Sequence, residues 1–144
     1  LQFTTFDKAE AWRLGVALKE AAEAAGQAVA IDITVAGHGW FHYAMPGTSP
    51  DNADWVRRKR NVVAHFGRSS YAIGLELKEK GTTLSERNGL PMRDYAPFGG
   101  SFPLTLRSVG CIGQITVSGL PQREDHALIV RVLSAFLNVA APTF

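Results

Sequence analysis

The histidines of this chain are its clearest candidates for chemistry, because imidazole can act as a base or bind a metal near neutral pH. His126 follows the acids Glu124 and Asp125, an order that could provide a carboxylate-assisted base or ligand. Neighbouring side chains on a helix point about 100° apart, however, so adjacency alone does not let Asp125 orient His126. The acids also have a structural explanation, since they complement the positive end of a helix dipole. Both interpretations of Asp125 and His126 stay open.

The other histidines do not show a zinc-type spacing, and no metal site is predicted. His38 and His42 are separated by a predicted turn and strand, and His65 lies near a helix end, where the helix dipole explains it. His42 alternates with Trp40 and Ala44 on one predicted strand face, an apolar wall suited to a porphyrin whose iron needs one or two axial ligands. The structural alternative for His42 is a half-buried sheet residue with a satisfied hydrogen bond.

A glycine pair marks the first candidate site for a small molecule or anion. Gly99, Gly100 and Ser101 could form a nest of backbone N–H groups. Arg93 and Arg107 bracket this segment in sequence, and we expect them at the lip of the same pocket. The alternative is a turn that leads the chain into a strand.

Cationic residues supply the remaining candidates. Arg68 and Ser69 precede a predicted helix, where a cation and free N–H groups converge on an anion. The basic run from Arg57 to Arg60 covers all sides of a helix, so we expect a solvated face or inter-subunit salt bridges, with the stem of Lys59 against the core. The net charge of +2 is too small to predict binding to nucleic acid or to an anionic membrane.

The composition predicts one globular domain over residues 1–144. No apolar run approaches the roughly 20 residues of a membrane helix, and the first residues lack a signal-peptide pattern. Cys111 is the only cysteine, so an internal disulfide is excluded and a reducing, cytoplasmic location is predicted. Because Cys111 lies within a predicted strand, its thiol is expected to be buried and inert.

The elements that must position these residues follow the order α-β-β-α-α-β-β-α. Two pairs of adjacent strands predict hairpins, hence an antiparallel sheet with helices packed on it, the α+β class. Gly113 lies inside the last strand, which predicts a bulge or a close neighbour. The Gly- and Pro-rich residues 82–100 are predicted to form a long loop. The helices are predicted over residues 7–26, 49–67, 69–81 and 120–138, and the strands over 28–35, 40–45, 101–107 and 111–118.

Three separated segments agree in order and spacing with one known family. They are the basic helix with its Ser-Ser turn at 55–74, GGSFPL at 99–104 and the glycine-rich strand that runs into VSGLPQREDH at 110–126. Together they resemble the GlcG/HbpS-like haem-degrading family, and most of all its uncharacterised cytoplasmic branch. The resemblance implies a profilin-like fold, with a central antiparallel sheet flanked by helices, and a homo-oligomer.

The resemblance also implies haem binding or haem degradation. A porphyrin would then occupy an apolar groove between sheet and helix or between subunits, with a histidine near the iron and arginines on the propionates. No cofactor is expected to be required for folding. The alternative function is a non-enzymatic small-ligand-binding or assembly module, which the lack of an identifiable catalytic pair favours.

Overall fold

The computed structural model describes residues 1–144 and confirms the predicted order of elements. One short addition, the five-residue helix α4, lies inside the segment predicted to be a loop. The helices are α1 (Lys8–Ala24), α2 (Pro50–Phe66), α3 (Ser70–Lys80), α4 (Leu84–Asn88) and α5 (Gln122–Phe136), and the strands are β1 (Ala30–Val35), β2 (His38–Ala44), β3 (Ser101–Leu106) and β4 (Gly110–Ser118). None of the helices has the length and apolar run needed to cross a bilayer.

The four strands form one antiparallel sheet in the order β2-β1-β4-β3. Each hairpin contributes two adjacent strands, and the hairpins join where β1 pairs with β4, with Ile31 opposite Val117. The predicted α+β class and antiparallel sheet are therefore confirmed. β2 and β3 are the edges of the sheet.

Helix boundaries follow the capping residues. Ser49 precedes α2 in a capping box, with its N–H donating to Asn52 Oδ1 at 2.9 Å, and Pro50 occupies the first turn. Ser69 Oγ accepts the N–H of Ala72 at 3.1 Å and begins α3. α5 begins one residue after Pro121. These local signals set the ends of the helices that carry the candidate residues.

One face of the sheet carries the main apolar core, because alternate residues of each strand point to the same side. α1 and α5 pack on this face. Burying each large aliphatic side chain contributes roughly 1.5–3 kcal/mol, so this layer provides the main driving force for folding. The side chains that fill it include Leu14, Leu18, Ile31, Ile33, Ile115, Val117, Leu128, Ile129 and Leu133.

The opposite face of the sheet is polar although it is buried. Asp32 and Thr34 of β1 and Thr116 and Ser118 of β4 alternate with the core residues and are covered from solvent. α2 packs across this face, so the side chains of α2 that meet the sheet meet polar partners. Buried polar groups must be hydrogen-bonded, which makes this face the place to look for a functional arrangement.

Gly113 confirms the prediction of a bulge or close neighbour, and both features are present. Between Leu104 and Thr105 the register with β4 shifts, and a Cβ on Gly113 would lie 2.1 Å from the carbonyl oxygen of Thr34. Beyond the bulge, Cys111 is exposed, so the expectation of a buried thiol is wrong. The thiol escapes burial because it faces an open cleft at the C-terminal end of α2.

A second bulge changes the predicted face of β2. The register with β1 shifts between Ile33 and Thr34, which leaves Trp40 as the extra residue of β2. Trp40 therefore turns to the core side and stacks on Phe6 with ring centroids 6.1 Å apart. The expected apolar wall of Trp40 beside His42 on one strand face does not form.

Candidate functional site

A buried ion pair links α2 to the start of α5. Lys59 Nζ lies 2.9 Å from Asp125 Oδ2 and 3.3 Å from the carbonyl oxygen of Val117. The two side chains are 4% and 1% exposed. Asp125 Oδ1 also accepts the backbone N–H of Leu120 at 3.1 Å. Asp125 is thus a buried partner of a lysine as well as a helix-start acid, and Lys59 buries its charge together with its stem.

The environment of this pair opposes both charges. Burial lowers the pKa of Lys59, and the attraction of Asp125 only partly restores it. Burial likewise raises the pKa of Asp125, with Lys59 and the backbone N–H of Leu120 acting in the opposite direction. Desolvation of each charged group is the larger effect in both cases. Burial therefore disfavours both the ammonium of Lys59 and the carboxylate of Asp125, which makes proton transfer from Lys59 to Asp125 easier than it would be in water.

The glycine turn before β3 makes room for the lysine. Gly100 has φ +137°, and a Cβ there would lie 2.5 Å from Lys59 Nζ. Gly99 donates its N–H to Gln122 Oε1 at 2.9 Å, and Ser101 donates its N–H to Ser70 Oγ at 3.0 Å. The N–H groups of Gly99 and Ser101 therefore have partners within the chain, and the structure favours the alternative of a strand-entry turn over an anion nest.

A cleft of about 330 Å³ opens above the Lys59–Asp125 pair. Trp55 and Phe98 form an aromatic wall, with ring centroids 6.0 Å apart and the rings nearly perpendicular. The remaining lining is mostly polar, so the cleft combines an apolar wall with hydrogen-bonding groups. Besides the aromatic wall and the ion pair, its lining residues are Asp51, Asn52, Ser118, Gly119, Leu120 and Gln122.

His126 points away from Asp125, as the angular argument from the sequence anticipated. Its ring stacks on Tyr71 at 4.7 Å and meets the edge of Phe144 at 4.7 Å. No group in the protein is hydrogen-bonded to its buried Nδ1. Burial lowers the pKa of His126 to about 4, which keeps the imidazole neutral at physiological pH. His126 is therefore an aromatic packing residue without a carboxylate partner.

A second cluster centres on Asp32, an acid buried in the middle of β1. Thr34 Oγ1 donates to Asp32 Oδ1 at 2.6 Å, and Arg60 Nη1 donates to the same oxygen at 3.2 Å. His42 Nδ1 lies 3.3 Å from Asp32 Oδ2, while the His42 side chain is 52% exposed. The structural alternative predicted for His42, a half-buried residue with a hydrogen bond, matches this arrangement.

The surface beside His42 is apolar. A cavity of about 400 Å³ is lined by Trp12, Val16, Lys19, Phe41, His42 and Tyr43. Trp12 is 64% exposed and rests edge-on against Phe41, with ring centroids 5.6 Å apart. Large exposed aromatic residues grouped in this way indicate a contact surface for a ligand or another chain.

The predicted arginine lip is wrong. Arg107 follows β3, whereas Ser101 begins it, so the two are roughly 20 Å apart at about 3.3 Å per residue. Arg93 is 87% exposed, and its guanidinium approaches only Asp94, at 3.7 Å. The geometry thus separates Arg107 from the glycine turn and leaves Arg93 in solvent.

The other predicted cationic sites are occupied by the protein itself. Arg68 pairs with Glu76 at 3.3 Å, and the Ser69 hydroxyl caps α3, so this helix start already has an acidic partner and a cap. Arg57 pairs with Asp94 at 3.0 Å, and Arg58 donates to the Met92 carbonyl at 2.7 Å. Arg57 and Arg58 therefore anchor the segment before β3, while the Arg57 side chain stays 41% exposed to solvent, and inter-subunit salt bridges remain a prediction.

Lys59, Arg60 and Asp32 were not among the predicted site residues. For Asp32 a signal existed, because a carboxylate within the apolar run AIDITV must be buried and therefore needs partners. For Lys59 the sequence predicted only a buried stem. In a run of four basic residues, no local pattern indicates that the amino group of one of them is also buried. The partner acid lies at the other end of the chain, beyond the reach of local patterns.

The sheet order and the helices on both faces define an α+β domain with one apolar and one polar buried layer. Comparison with known proteins identifies its family. The family model described as haem degrading protein HbpS-like matches residues 6–134. A UPF0303 protein of Serratia proteamaculans (strain 568) is 57% identical over 142 residues, which cover 99% of this chain and 88% of that protein. The chain belongs to the HbpS-like family.

Solved structures share the fold. The crystal structure of the Ybr137w protein superposes with a TM-score of 0.87 at 33% identity, covering 94% of this chain and 80% of that one. The crystal structure of the PduOC:haem complex has a TM-score of 0.76 at 18% identity, covering 99% of this chain and all of that one. At 18% identity, the likeness to PduOC shows a shared fold and nothing more.

Proposed function

We propose that this protein binds haem on the surface around His42. The observation that carries the proposal is the contact between His42 Nδ1 and the buried carboxylate of Asp32, on a half-exposed imidazole. Membership of the HbpS-like family supports haem as the ligand, and the PduOC:haem complex shows that a protein of this fold can hold it.

The Asp32 contact fits the requirements of a metal-binding histidine. When Nδ1 donates to a carboxylate, the tautomer is fixed and Nε2 presents its lone pair outward. Asp32 is itself held by Arg60 and Thr34, so the imidazole is oriented by a rigid, buried group. A bound haem would supply an iron centre for ligand binding or redox chemistry. Arg60 and Asp32 are positioning residues in this proposal.

The neighbouring surface fits the rest of the ligand. Trp12, Phe41 and Tyr43 lie on the α1 side of β2 and His42 points to the other side, so a porphyrin on His42 would reach their aromatic area around the exposed edge of this strand. Lys19 borders the same cavity and can pair with a propionate, an interaction that its present partner Glu23, 3.1 Å away, would share. The cavity is open, so a second copy of the chain would have to cover the other face of the porphyrin. Oligomeric assembly, like a cytoplasmic location, remains a prediction from the sequence.

Haem titration of the purified protein tests the proposal. A shifted Soret band is expected in the wild type and its loss in His42→Ala. His38→Ala is the matched control, because His38 begins the same strand and is exposed without a carboxylate partner. Asp32→Asn should weaken haem binding about 10- to 100-fold while the chain stays folded. An unchanged spectrum and affinity in His42→Ala would refute the assignment, and a loss confined to His126→Ala would move the site to α5.

The alternative function, a small-ligand-binding module without haem, is favoured by a different part of the molecule. The cleft above Lys59 holds a buried, perturbed ion pair beside an aromatic wall, an arrangement typical of ligand sites. Both activities can coexist, because the two sites use different residues.

A further inference from the structure

We propose that the cleft above Lys59 binds a small, uncharged aldehyde or ketone, and that Lys59 forms an imine with its carbonyl carbon. The site lies apart from the His42 surface and does not depend on haem. It rests on three observations: the amino group at the floor of a cleft, the carboxylate beside it, and the aromatic wall above it.

The amino group has the position that the reaction requires. Asp125 Oδ2 and the Val117 carbonyl accept two of its three N–H groups, which leaves the third for the cleft. A Cβ at Gly100 would lie 2.5 Å from Nζ, so the glycine leaves the space that the amino group occupies at the cleft. The Lys59 side chain is only 4% exposed, so little bulk water reaches the amino group.

A buried ion pair seldom stabilises a fold more than apolar residues of similar volume would. The position of Lys59 at the floor of an opening is therefore better explained by chemistry than by stability. Burial favours the neutral amine, which is the nucleophilic form, because it lowers the pKa of Lys59. Asp125, whose pKa burial raises, is the matching proton acceptor 2.9 Å away.

The steps balance without an external co-reactant. The Lys59 ammonium passes a proton to Asp125, and the neutral amine attacks the carbonyl carbon to form a C–N bond. A proton moves from nitrogen to the former carbonyl oxygen, which gives a carbinolamine. Asp125 then protonates the hydroxyl, water leaves, and a C=N bond forms as an iminium. The iminium keeps one positive charge beside the Asp125 carboxylate, so the charge balance of the buried site is preserved.

The cleft walls define the class of ligand. Trp55 and Phe98 suit a flat or apolar body next to the carbonyl group. Asn52 and Gln122 line the cleft and can donate amide N–H groups, since their oxygens already accept from Ser49 and Gly99. The carboxylate of Asp51 opposes an anionic ligand. A volume of about 330 Å³ limits the ligand to a small molecule. Neutral aromatic or short-chain aldehydes fit these conditions better than keto acids do.

Reductive trapping tests the proposal on the intact wild-type protein. Benzaldehyde and cyanoborohydride at neutral pH, followed by peptide mass spectrometry, should modify Lys59 at least roughly tenfold faster than the exposed Lys80. Asp125→Asn should reduce trapping at Lys59 by a similar factor and leave Lys80 unchanged. Trp55→Ala, which leaves the ion pair intact, should also reduce it.

The outcomes separate this proposal from the haem site. Trapping at Lys59 should persist in His42→Ala, and haem binding should persist in Trp55→Ala. Glyoxylate, an anionic aldehyde, should trap less efficiently than benzaldehyde. If Lys59 stays unmodified while Lys80 reacts, or if neither Asp125→Asn nor Trp55→Ala alters the Lys59 rate, the pair is structural and the proposal is overturned.

Discussion

The Lys59–Asp125 pair predicts a large thermodynamic coupling between two residues 66 positions apart in sequence. In Lys59→Met the Asp125 carboxylate keeps only backbone N–H partners in a site that excludes water. In Asp125→Asn the amide oxygen can still accept from Leu120, but the ammonium loses its anion. Removing one member of a buried pair costs about 3–5 kcal/mol. We expect each single variant to lose about 3 kcal/mol of unfolding free energy, since either isolated group can change its protonation state to limit the cost.

The double variant Lys59→Met/Asp125→Asn should lose much less than the sum of the two. Methionine fills the space of the Lys59 stem, and the amide oxygen of the asparagine still accepts the N–H of Leu120. The double variant therefore buries no unpaired charge. We expect a total loss of about 1–2 kcal/mol, hence a coupling of about 4 kcal/mol or more. Urea unfolding at pH 7 and one fixed protein concentration, followed by circular dichroism, measures all four corners of the cycle.

The pH dependence of the unfolding free energy of Lys59→Met provides an independent check. In Lys59→Met, the carboxyl group of Asp125 has its pKa raised by burial and has lost its cation, so it takes up a proton as the pH falls. The penalty of Lys59→Met relative to wild type should therefore shrink between pH 7 and pH 5. A double variant whose loss equals the sum of the single losses within about 0.5 kcal/mol would refute the interpretation of a coupled buried pair.

Two further predictions concern stability. Burial lowers the pKa of His126 to about 4 from 6.5, so its contribution is fully present above pH 6.5 and is lost as the pH falls toward 4. Between pH 7 and pH 5 the wild type should lose about 2 kcal/mol that His126→Phe does not lose, and identical pH profiles in urea unfolding would contradict this. Gly113→Ala should cost about 1–3 kcal/mol, because its Cβ would meet the Thr34 carbonyl at 2.1 Å. Gly39→Ala is the control, with open space at its Cβ, and equal midpoints for both in thermal unfolding would argue against the close approach.

The elements of the fold could be predicted because their signals are local. A capping serine followed by proline begins α2, and a glycine in the left-handed region ends α3 at Gly81. The alternation in AIDITV identifies β1 without knowledge of its partners. Such features depend on residues within a few positions of one another, and the free energy of a cap or a strand face is decided at that range.

Side-chain orientation on the sheet could not be predicted in the same way. The bulge at Trp40 reverses the face of every residue before it in β2, and it exists only because β1 pairs there with a shifted register. Cys111 became exposed for a similar reason, since it lies beyond the bulge opposite Leu104 and Thr105. A bulge is a property of two strands, and one strand read alone gives no sign of it.

The candidate site could be predicted only in part from the sequence, because a charged residue can either face solvent or form a buried ion pair, and the sequence does not distinguish the two. Asp125 and the glycine turn were recognised as candidates, but Arg93 and Arg107 were grouped with them by sequence proximity. An extended strand carries the chain away from the turn, so the residues that bracket a strand lie at its opposite ends. Lys59, which does meet the turn, comes from a helix that precedes it by some forty residues.

The requirements of one lysine explain why the segments that carry the family resemblance converge. A buried ammonium needs a carboxylate, which Asp125 supplies from α5. It needs a neighbour without a side chain, which Gly100 supplies, and a second acceptor, which is the Val117 carbonyl at the end of β4. Each of these groups lies on a different segment. The basic helix, the glycine turn and the strand that leads into α5 therefore all contact the same atom, Lys59 Nζ. Asp125→Asn separates a structural lysine from a reactive one, because it keeps the amino group of Lys59. If the lysine is reactive, trapping at Lys59 should fall in this variant while trapping at the exposed Lys80 stays unchanged.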